Sequence, residues 1–245
     1  MDRQLVIFDG DDTLWFVEPL YDQARSQAAS LVESVGLDAL TWERIEREVD
    51  VRNVETYGVS TERFPTSCVE AYRLMAGQIG SRPDQSIEEA IRAVAQQVFQ
   101  WVATPADAVP EILDRLSPQF TLVLLTKGDA LVQRKRIADS GVDSKFDEIR
   151  ICPEKSELHF RDLLHDYGIE PPYAWSVGNS LASDVNPALR IGMNAIWVDA
   201  HVWEYERREL VPARELLVSA PNLSAAVEIL LESAAGNGSS RGRVP

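Results

Sequence analysis

The sequence has few cysteines, few histidines and a shortage of positive charge, and each shortage excludes a class of protein. Two cysteines among 245 residues, Cys68 and Cys152, are too few for a disulfide framework. Three histidines offer no set of ligands typical of a zinc site. Because 39 acidic residues outnumber 24 lysines and arginines, the net charge is −15, which argues against nucleic acids and anionic membranes as partners.

Long apolar runs are absent as well. No stretch approaches the ~20 apolar residues that span a bilayer, and the N-terminal residues lack the pattern of a signal peptide. We therefore expect a cytoplasmic protein that contacts no membrane. The segment 234–245 is rich in small and polar residues and cannot pack a core, so we expect it to be disordered.

The most informative stretch that is present spans residues 5–14, LVIFDGDDTL. Its four apolar residues predict a short buried strand, which ends abruptly in carboxylates. Since an ionised carboxylate is costly to bury without a partner, the aspartates are expected in a wet or metal-containing cleft. Side chains at i and i+2 of an extended chain point the same way, so Asp9 and Asp11 can share one site.

The predicted secondary structure of the rest of the chain changes in character once. Residues 18–102 contain no convincing strand and predict helices only, whereas strands alternate with helices from about residue 103. The four further strands are predicted at 121–126, 148–152, 174–178 and 195–198. Alternation of this kind predicts a parallel sheet with right-handed crossovers. The predicted fold is therefore α/β: a Rossmann-like, five-stranded parallel core of residues 1–17 and 103–233, interrupted by an all-helical insertion of residues 18–102.

Polar residues follow four of the predicted strands. The carboxyl ends of parallel strands face one cleft, so these residues are expected to converge. The first strand contributes two aspartates, and the others contribute a hydroxyl with adjacent backbone amides at a helix N-terminus, an ammonium group, and an amide with a further carboxylate. In chain order these residues are Asp9 and Asp11; Thr126, Lys127 and Gly128; Lys155; and Asn179 and Asp184.

This set, in this order, resembles the four motifs of the haloacid dehalogenase superfamily of phosphotransferases and hydrolases, over about residues 5–200. The insertion resembles the helical cap that the family carries between its first and second motifs, which closes over the site and selects the substrate. The resemblance implies that Asp9 is the nucleophile that forms an aspartyl-phosphate, and that Asp11 is the general acid and base.

The resemblance also implies a cofactor and a substrate site. Thr126 and Lys155 would hold the transferring phosphoryl oxygens, with Lys127 and Gly128 beside Thr126 in the substrate site. Mg²⁺ would be bound by Asp9, by the carbonyl oxygen of Asp11 and by a ligand from the fourth motif. The implied protein is a Mg²⁺-dependent phosphatase of a small phosphorylated molecule.

The fourth motif departs from the family pattern, because Asn179 stands where the family usually has an aspartate. An amide oxygen can bind Mg²⁺, but the site has one negative charge fewer. Asp184 is expected either to bind the metal, directly or through water, or to anchor Lys155. The sequence leaves open which of Asn179 and Asp184 touches the metal.

Three alternatives stay open. A 2-haloacid dehalogenase of the same fold would need no proton for its halide leaving group, so Asp11 favours the phosphatase. A phosphomutase would use the same residues with another phosphoryl acceptor. A catalytically weak binding protein is favoured only by Asn179. Neither the physiological substrate nor the oligomeric state follows from the sequence.

Overall fold

The computed structural model describes residues 3–212 and 214–239, which divide into two compact units. An α/β unit comprises the chain up to Phe16 and again from Thr104, and a helical unit comprises Val17–Ala103. The strands are β1 (Gln4–Phe8), β2 (Trp15–Phe16), β3 (Thr104–Pro105), β4 (Phe120–Lys127), β5 (Glu148–Cys152), β6 (Ala174–Gly178), β7 (Asn194–Val198) and β8 (Leu217–Ala220). The helices are α1 (Glu18–Ser34), α2 (Ala39–Tyr57), α3 (Arg63–Gln78), α4 (Gln85–Gln96), α5 (Val109–Leu116), α6 (Ala130–Ser140), α7 (Glu157–Tyr167), α8 (Asn186–Arg190) and α9 (Leu223–Ser239).

The α/β unit is built on a parallel sheet of order β5-β4-β1-β6-β7-β8. The central strand β1 is buried on both faces, with Leu5, Val6 and Phe8 fully inaccessible, which is why its sequence is a continuous apolar run. The predicted α/β class with a Rossmann-like parallel core is confirmed.

The strand count needs correction, because the sheet has six strands rather than five. The additional strand, β8, pairs only with β7 at the edge of the sheet, and its residues Val218 and Ser219 are exposed. An edge strand of four residues has no apolar run, so it carries little sequence signal. Strands β2 and β3 form a separate two-stranded antiparallel sheet, and their two residues each are too short to predict.

The helical unit consists of α1–α4 and a short 3-10 turn at Gln97–Phe99, with no strand among its described residues. Its core contains large apolar side chains, including Trp42, Phe64 and Ile91, each at most 1% exposed. The same interior also holds a set of buried charges. Those charged residues include Arg25, Glu46, Asp50 and Arg63.

The closing helix is longer than predicted. Helix α9 continues to Ser239, so residues 234–239, which were expected to be disordered, are helical. Residues 240–245, the rest of that predicted tail, lie outside the described part of the chain. None of the described helices combines the length and the apolar character needed to cross a membrane.

Candidate active site

The first motif forms a tight turn at the end of β1. The amide of Asp9 still donates to the Val177 carbonyl of β6 at 2.9 Å, and the chain then turns so that the Leu14 amide donates to the Gly10 carbonyl at 2.8 Å. A Cβ atom on Gly10 would lie 2.5 Å from the Trp15 ring, so glycine is needed for the indole to pack there. The turn also brings the Thr13 hydroxyl to the Asp9 carboxylate, where it donates at 3.2 Å.

Lys155 joins two of the predicted carboxylates. Its ammonium Nζ lies 2.5 Å from Asp9 Oδ1 and 2.7 Å from Asp184 Oδ1. The side chains of Lys155 and Asp184 are 2% and 3% exposed, and that of Asp9 is 10% exposed. The structure therefore brings together residues from the ends of β1, β5 and β6, and Asp9 is the member most open to a ligand.

The position of Asp184 depends on the loop after β6. Its Oδ2 accepts the Ser180 amide at 3.0 Å, and its backbone carbonyl accepts the Ser176 hydroxyl at 2.9 Å. A Cβ atom on Gly178 would lie 2.4 Å from the Asp184 carboxyl carbon, so the carboxylate rests directly on the glycine backbone. Both oxygens of Asp184 are thus hydrogen-bonded within the protein, which suits an anchor for Lys155.

Asn179 is oriented by its amide nitrogen, which donates to the His201 carbonyl. This fixes Oδ1 on the other side, where it lies 3.4 Å from the Thr13 hydroxyl. The Asn179 carbonyl also accepts the Trp197 indole N–H at 2.8 Å. Since the Thr13 hydroxyl also contacts Asp9, the Asn179 amide oxygen and the carboxylate of the predicted nucleophile lie within 3.4 Å of the same group.

Burial shifts the ionisation of the cluster in opposite directions. Burial, followed by repulsion from Asp184, raises the pKa of Asp9 to about 7, although Lys155 acts against the rise. Burial alone would lower the pKa of Lys155, but the negative charges of Asp184 and Asp9 outweigh it and raise that pKa. Lys155 is therefore a permanent cation beside the predicted nucleophile.

The end of β4 supplies Thr126, Lys127 and Gly128. Thr126 is 1% exposed, and an ideal Cβ on Gly10 would lie 3.2 Å from its hydroxyl oxygen, which places it beside the first motif. The Gly128 amide donates to the Cys152 carbonyl at 2.9 Å, so it is engaged within the protein rather than turned to the predicted anion site.

Lys127 is held by residues that the sequence did not single out. Its ammonium donates to the Ser183 hydroxyl at 2.8 Å, forms an ion pair with the buried Glu206, and lies 5.9 Å from the centre of the Tyr205 ring. Burial and the positive charge of Lys155 lower the pKa of Lys127 to about 8. The predicted substrate contact therefore already has partners from the loop after β7.

Asp11 has partners that sequence reasoning missed. Its Oδ1 accepts the Trp15 indole N–H at 2.7 Å, and its Oδ2 accepts hydrogen bonds from Gln133 Nε2 at 2.8 Å and Arg136 Nη1 at 2.5 Å. Gln133 and Arg136 lie three residues apart on α6, so they share one helix face. The available sequence signal is a glutamine and an arginine three residues apart on the helix that follows the second motif.

The side chains at the site include oxygen ligands suited to one kind of metal. Among the described residues, no group of three or more His, Cys, Asp or Glu side chains could hold a metal ion. The candidate ligands Asp9, Asn179 and the carbonyl of Asp11 offer oxygen atoms only, and the Thr13 hydroxyl contacts both the Asp9 carboxylate and the Asn179 amide oxygen. This set fits Mg²⁺, which prefers oxygen ligands and keeps several waters, and it does not fit zinc.

The chain is similar in sequence to known phosphatases. No family model matches the chain. It is 27% identical over 195 residues to the glyceraldehyde 3-phosphate phosphatase of Methanopyrus kandleri, covering 77% of this chain and 80% of that protein. It is 33% identical over 116 residues to the N-acylneuraminate-9-phosphatase of Mus musculus, a match that covers 41% of this chain and 46% of that protein.

Solved structures show the same fold. A haloacid dehalogenase-like family hydrolase from Xanthomonas campestris superposes with a TM-score of 0.78 at 24% identity, covering 97% of this chain and 98% of that one. The HAD-hydrolase candidate YfnB from Bacillus subtilis, solved bound to magnesium, gives a TM-score of 0.61 at 18% identity over 94% and 99% of the two chains. The resemblance drawn from the four motifs is confirmed: curated proteins similar to this chain are phosphatases, and solved structures with its fold include haloacid dehalogenase-like hydrolases, which supports a hydrolase that acts on phosphate esters.

Proposed function

We propose that the protein is a Mg²⁺-dependent phosphatase that hydrolyses a small phosphate monoester through an aspartyl-phosphate on Asp9. The observation that carries the proposal is the ammonium of Lys155 between Asp9 and Asp184, at 2.5 and 2.7 Å. The ammonium favours the charged form of the nucleophile and offers positive charge to a phosphoryl group at the same place. Because the net charge of the chain is −15, a phosphate needs such a local cation to bind.

The first half-reaction uses Asp9 and Asp11. A carboxylate oxygen of Asp9 forms a bond to phosphorus while the bond from phosphorus to the ester oxygen breaks. Asp11 gives a proton to the departing alkoxide, which leaves as an alcohol. Thr126 and Lys155 hold the non-bridging oxygens of the transferred group.

The second half-reaction restores the enzyme. Asp11, now ionised, takes a proton from a water molecule, and the resulting hydroxide attacks phosphorus. The bond between phosphorus and Asp9 breaks, which releases inorganic phosphate and the free carboxylate. Asp11 then carries the proton needed for the next cycle.

The proposed metal ligands are Asp9, the amide oxygen of Asn179 and the carbonyl of Asp11. A bound Mg²⁺ would offset the repulsion between the nucleophile carboxylate and the phosphate. Asp184 is proposed as the anchor of Lys155, because both of its oxygens are engaged by protein donors. The orientation of Asn179 supports its role, since its nitrogen is bound to His201 and its oxygen lies towards Thr13.

The proposed substrates are alkyl phosphates of small, hydroxylated carbon chains. The names of two phosphatases that are similar to this chain give glyceraldehyde 3-phosphate and an N-acylneuraminate 9-phosphate, which are both primary alkyl phosphates. We propose that the helical unit, residues 17–103, serves as the cap that selects among them. A 2-haloacid dehalogenase would not need the acid at Asp11, and a phosphomutase would pass the phosphoryl group to a second substrate molecule rather than to water.

The test is phosphate release from glyceraldehyde 3-phosphate and from p-nitrophenyl phosphate, measured with Mg²⁺ and with EDTA. We expect Mg²⁺-dependent release that Asp9→Asn abolishes, while the matched control Asp162→Asn, at an exposed position on α7, retains it. Trapping of labelled phosphate on wild-type protein, but not on Asp9→Asn, would report the covalent intermediate.

Two outcomes would contradict the proposal. One is a folded wild type that releases no phosphate from either ester, with Asn179→Asp equally inactive. The other is release of halide from a 2-haloacid without any phosphate release. If Asn179→Asp alone restores activity, the missing carboxylate charge explains a weak metal site.

A further inference from the structure

The carboxylate of Asp11 is surrounded by donors. Trp15 donates to Oδ1 at 2.7 Å, while Gln133 and Arg136 donate to Oδ2 at 2.8 and 2.5 Å. Oδ2 accepts two of these N–H groups and Oδ1 accepts one, so Oδ1 is the oxygen that has a lone pair left for the proton that Asp11 transfers. The contact from the Arg136 guanidinium is charge-assisted, and such hydrogen bonds are among the strongest in proteins.

The two donors on α6 are themselves rigid. Gln133 is 2% exposed and Arg136 is 6% exposed, so neither side chain is free to change rotamer in solvent. The Asp11 side chain is 24% exposed, so without these partners it would sample several orientations. Helix α6 therefore sets where the Asp11 oxygens lie.

Gln133 makes a second set of contacts. Its Oε1 accepts the Thr126 hydroxyl at 3.2 Å, and its Nε2 also donates to the Lys127 carbonyl at 3.0 Å. One buried amide thus contacts the proposed acid and base on one side and a proposed ligand of the phosphoryl oxygens on the other. The distance between these two groups is set by a single side chain.

We propose that Arg136 and Gln133 are positioning residues that orient Asp11 for proton transfer to the leaving oxygen. The inference rests on the proposed function, in which Asp11 loses its proton to the ester oxygen as the bond from that oxygen to phosphorus breaks. Proton transfer requires the donor within about 3 Å of the acceptor, and misplacement of a reacting group by about 1 Å costs on the order of 10²-fold in rate. Neither residue touches substrate in this role.

The decisive measurement compares two leaving groups. An alkoxide needs a proton in order to leave, whereas the phenolate of p-nitrophenyl phosphate is stable without one. For Arg136→Met we expect kcat/KM for glyceraldehyde 3-phosphate to fall about 10- to 100-fold, and that for p-nitrophenyl phosphate to change by less than about threefold. kcat/KM depends only on the steps up to and including the first irreversible one. When departure of the leaving group is irreversible, the later attack of water on the phosphorylated enzyme does not affect kcat/KM.

Two matched variants accompany this measurement. Arg134→Met removes an exposed arginine from the same helix and should leave both esters unaffected. Arg136→Lys keeps a cation at the position and should recover part of the loss with the alkyl ester, although lysine lacks the planar fork of arginine. Gln133→Met should reproduce the leaving-group dependence with a smaller loss.

A double-mutant cycle tests whether Arg136 acts through Asp11. Asp11→Asn should show the same leaving-group dependence, with a loss of ~10²–10⁴-fold for the alkyl ester. Adding Arg136→Met to Asp11→Asn should cause no further loss, because residues that act through one another are not additive.

The outcomes separate this inference from the proposed function. If the wild type releases no phosphate, the proposed function itself fails. Suppose that the loss of kcat/KM in Asp11→Asn depends on the leaving group. If Arg136→Met then lowers kcat/KM equally for both esters, or adds its full loss to that of Asp11→Asn in the double variant, only the positioning role is overturned. Equal loss from both esters is also the result expected if Arg136→Met merely disturbs folding.

Discussion

Each of the two units has a buried cation that joins two buried carboxylates, and the same arrangement of charges has different surroundings in the two units. The lysine cluster of the α/β unit consists of Lys155, Asp9 and Asp184; the arginine cluster of the helical unit consists of Arg25, Glu18 and Glu46. In both, burial raises the pKa of one carboxyl group, Asp9 or Glu46, to about 7. The charges alone therefore do not identify a functional site.

The difference lies in what covers each cluster. Arg25 lies 6.0 and 5.4 Å from the ring centres of Tyr21 and Phe64, and Glu46 has no exposed surface. Asp9, by contrast, keeps 10% of its side chain exposed and lies beside a threonine hydroxyl at the end of a strand. Aromatic faces close the arginine cluster, whereas the lysine cluster keeps one carboxylate available to a ligand. We interpret the first as structural and the second as catalytic.

The largest expected effect is on activity, and it should be confined to the lysine cluster. Asp9→Asn is expected to lower phosphate release by roughly 10⁴-fold or more, since loss of a nucleophile removes the covalent route. Glu46→Gln should change kcat by little, because that carboxyl group is fully buried in the other cluster. Steady-state kinetics on both variants, with circular dichroism to confirm folding, would check this. Similar losses of activity in Asp9→Asn and Glu46→Gln would contradict the distinction between a catalytic and a structural cluster.

The second-largest expected effect is on stability, and the loss of unfolding free energy should be greater when the cation of the arginine cluster is removed. Arg25→Met leaves two buried carboxylates without their cation and is expected to cost about 3–5 kcal/mol of unfolding free energy. Lys155→Met should cost about 1–2 kcal/mol less, because Asp9, one of its two carboxylate partners, keeps 10% of its side chain exposed, whereas Glu46 has no exposed surface. Urea denaturation of both variants gives the comparison. A greater cost for Lys155→Met would contradict it.

A third prediction concerns pH. Glu46 has a pKa of about 7 in the folded protein against 4.5 as its ordinary value, because burial outweighs the attraction of Arg25 and Asp50 adds repulsion. Between these values the folded state holds more protons than the unfolded state, so stability falls as pH rises from about 4.5 to about 7. The shift corresponds to about 3 kcal/mol at most.

Glu46→Gln is the control for this pH dependence. Glutamine does not titrate, so the fall in unfolding free energy between pH 5 and pH 8 should be smaller in the variant than in the wild type. The contribution of Asp9, whose pKa is also raised, remains in both proteins and cancels in the difference. Urea denaturation at intervals of one pH unit would measure it, and identical curves for the two proteins would refute the assignment.

The smallest expected effect is that of replacing Gly178, the glycine against which the Asp184 carboxylate packs. A Cβ on Gly178 would lie 2.4 Å from that carboxyl group, so Gly178→Ala should displace Asp184, cost about 1–3 kcal/mol and lower activity through Lys155. Gly77→Ala is the matched change in the helical unit, where a Cβ on α3 meets no atom within 4 Å. It should stabilise the protein by up to about 1 kcal/mol. Thermal unfolding of the pair would show whether the sign differs.

Much of the fold followed from local patterns. The apolar runs at β1, β4 and β6 predicted buried parallel strands because both faces of such a strand are covered, and the helices between them required crossovers. The edge strand β8 was missed because half of it is exposed and it is paired on one side only. The end of α9 was placed too early, since composition alone was used to predict residues 234–239.

The candidate site likewise combines contacts that the sequence predicted with contacts that only the structure shows. The sequence by itself determined that Asp9, Lys155 and Asp184 would meet, because the ends of parallel strands share one edge of the sheet and each residue follows a strand. Only the tertiary structure decided that Asp11 contacts Arg136, which is 125 residues away, or that Lys127 pairs with Glu206. The physical reason is that strand ends are placed by backbone hydrogen bonding, whereas the partners of a side chain depend on how helices and loops distant in sequence pack against it.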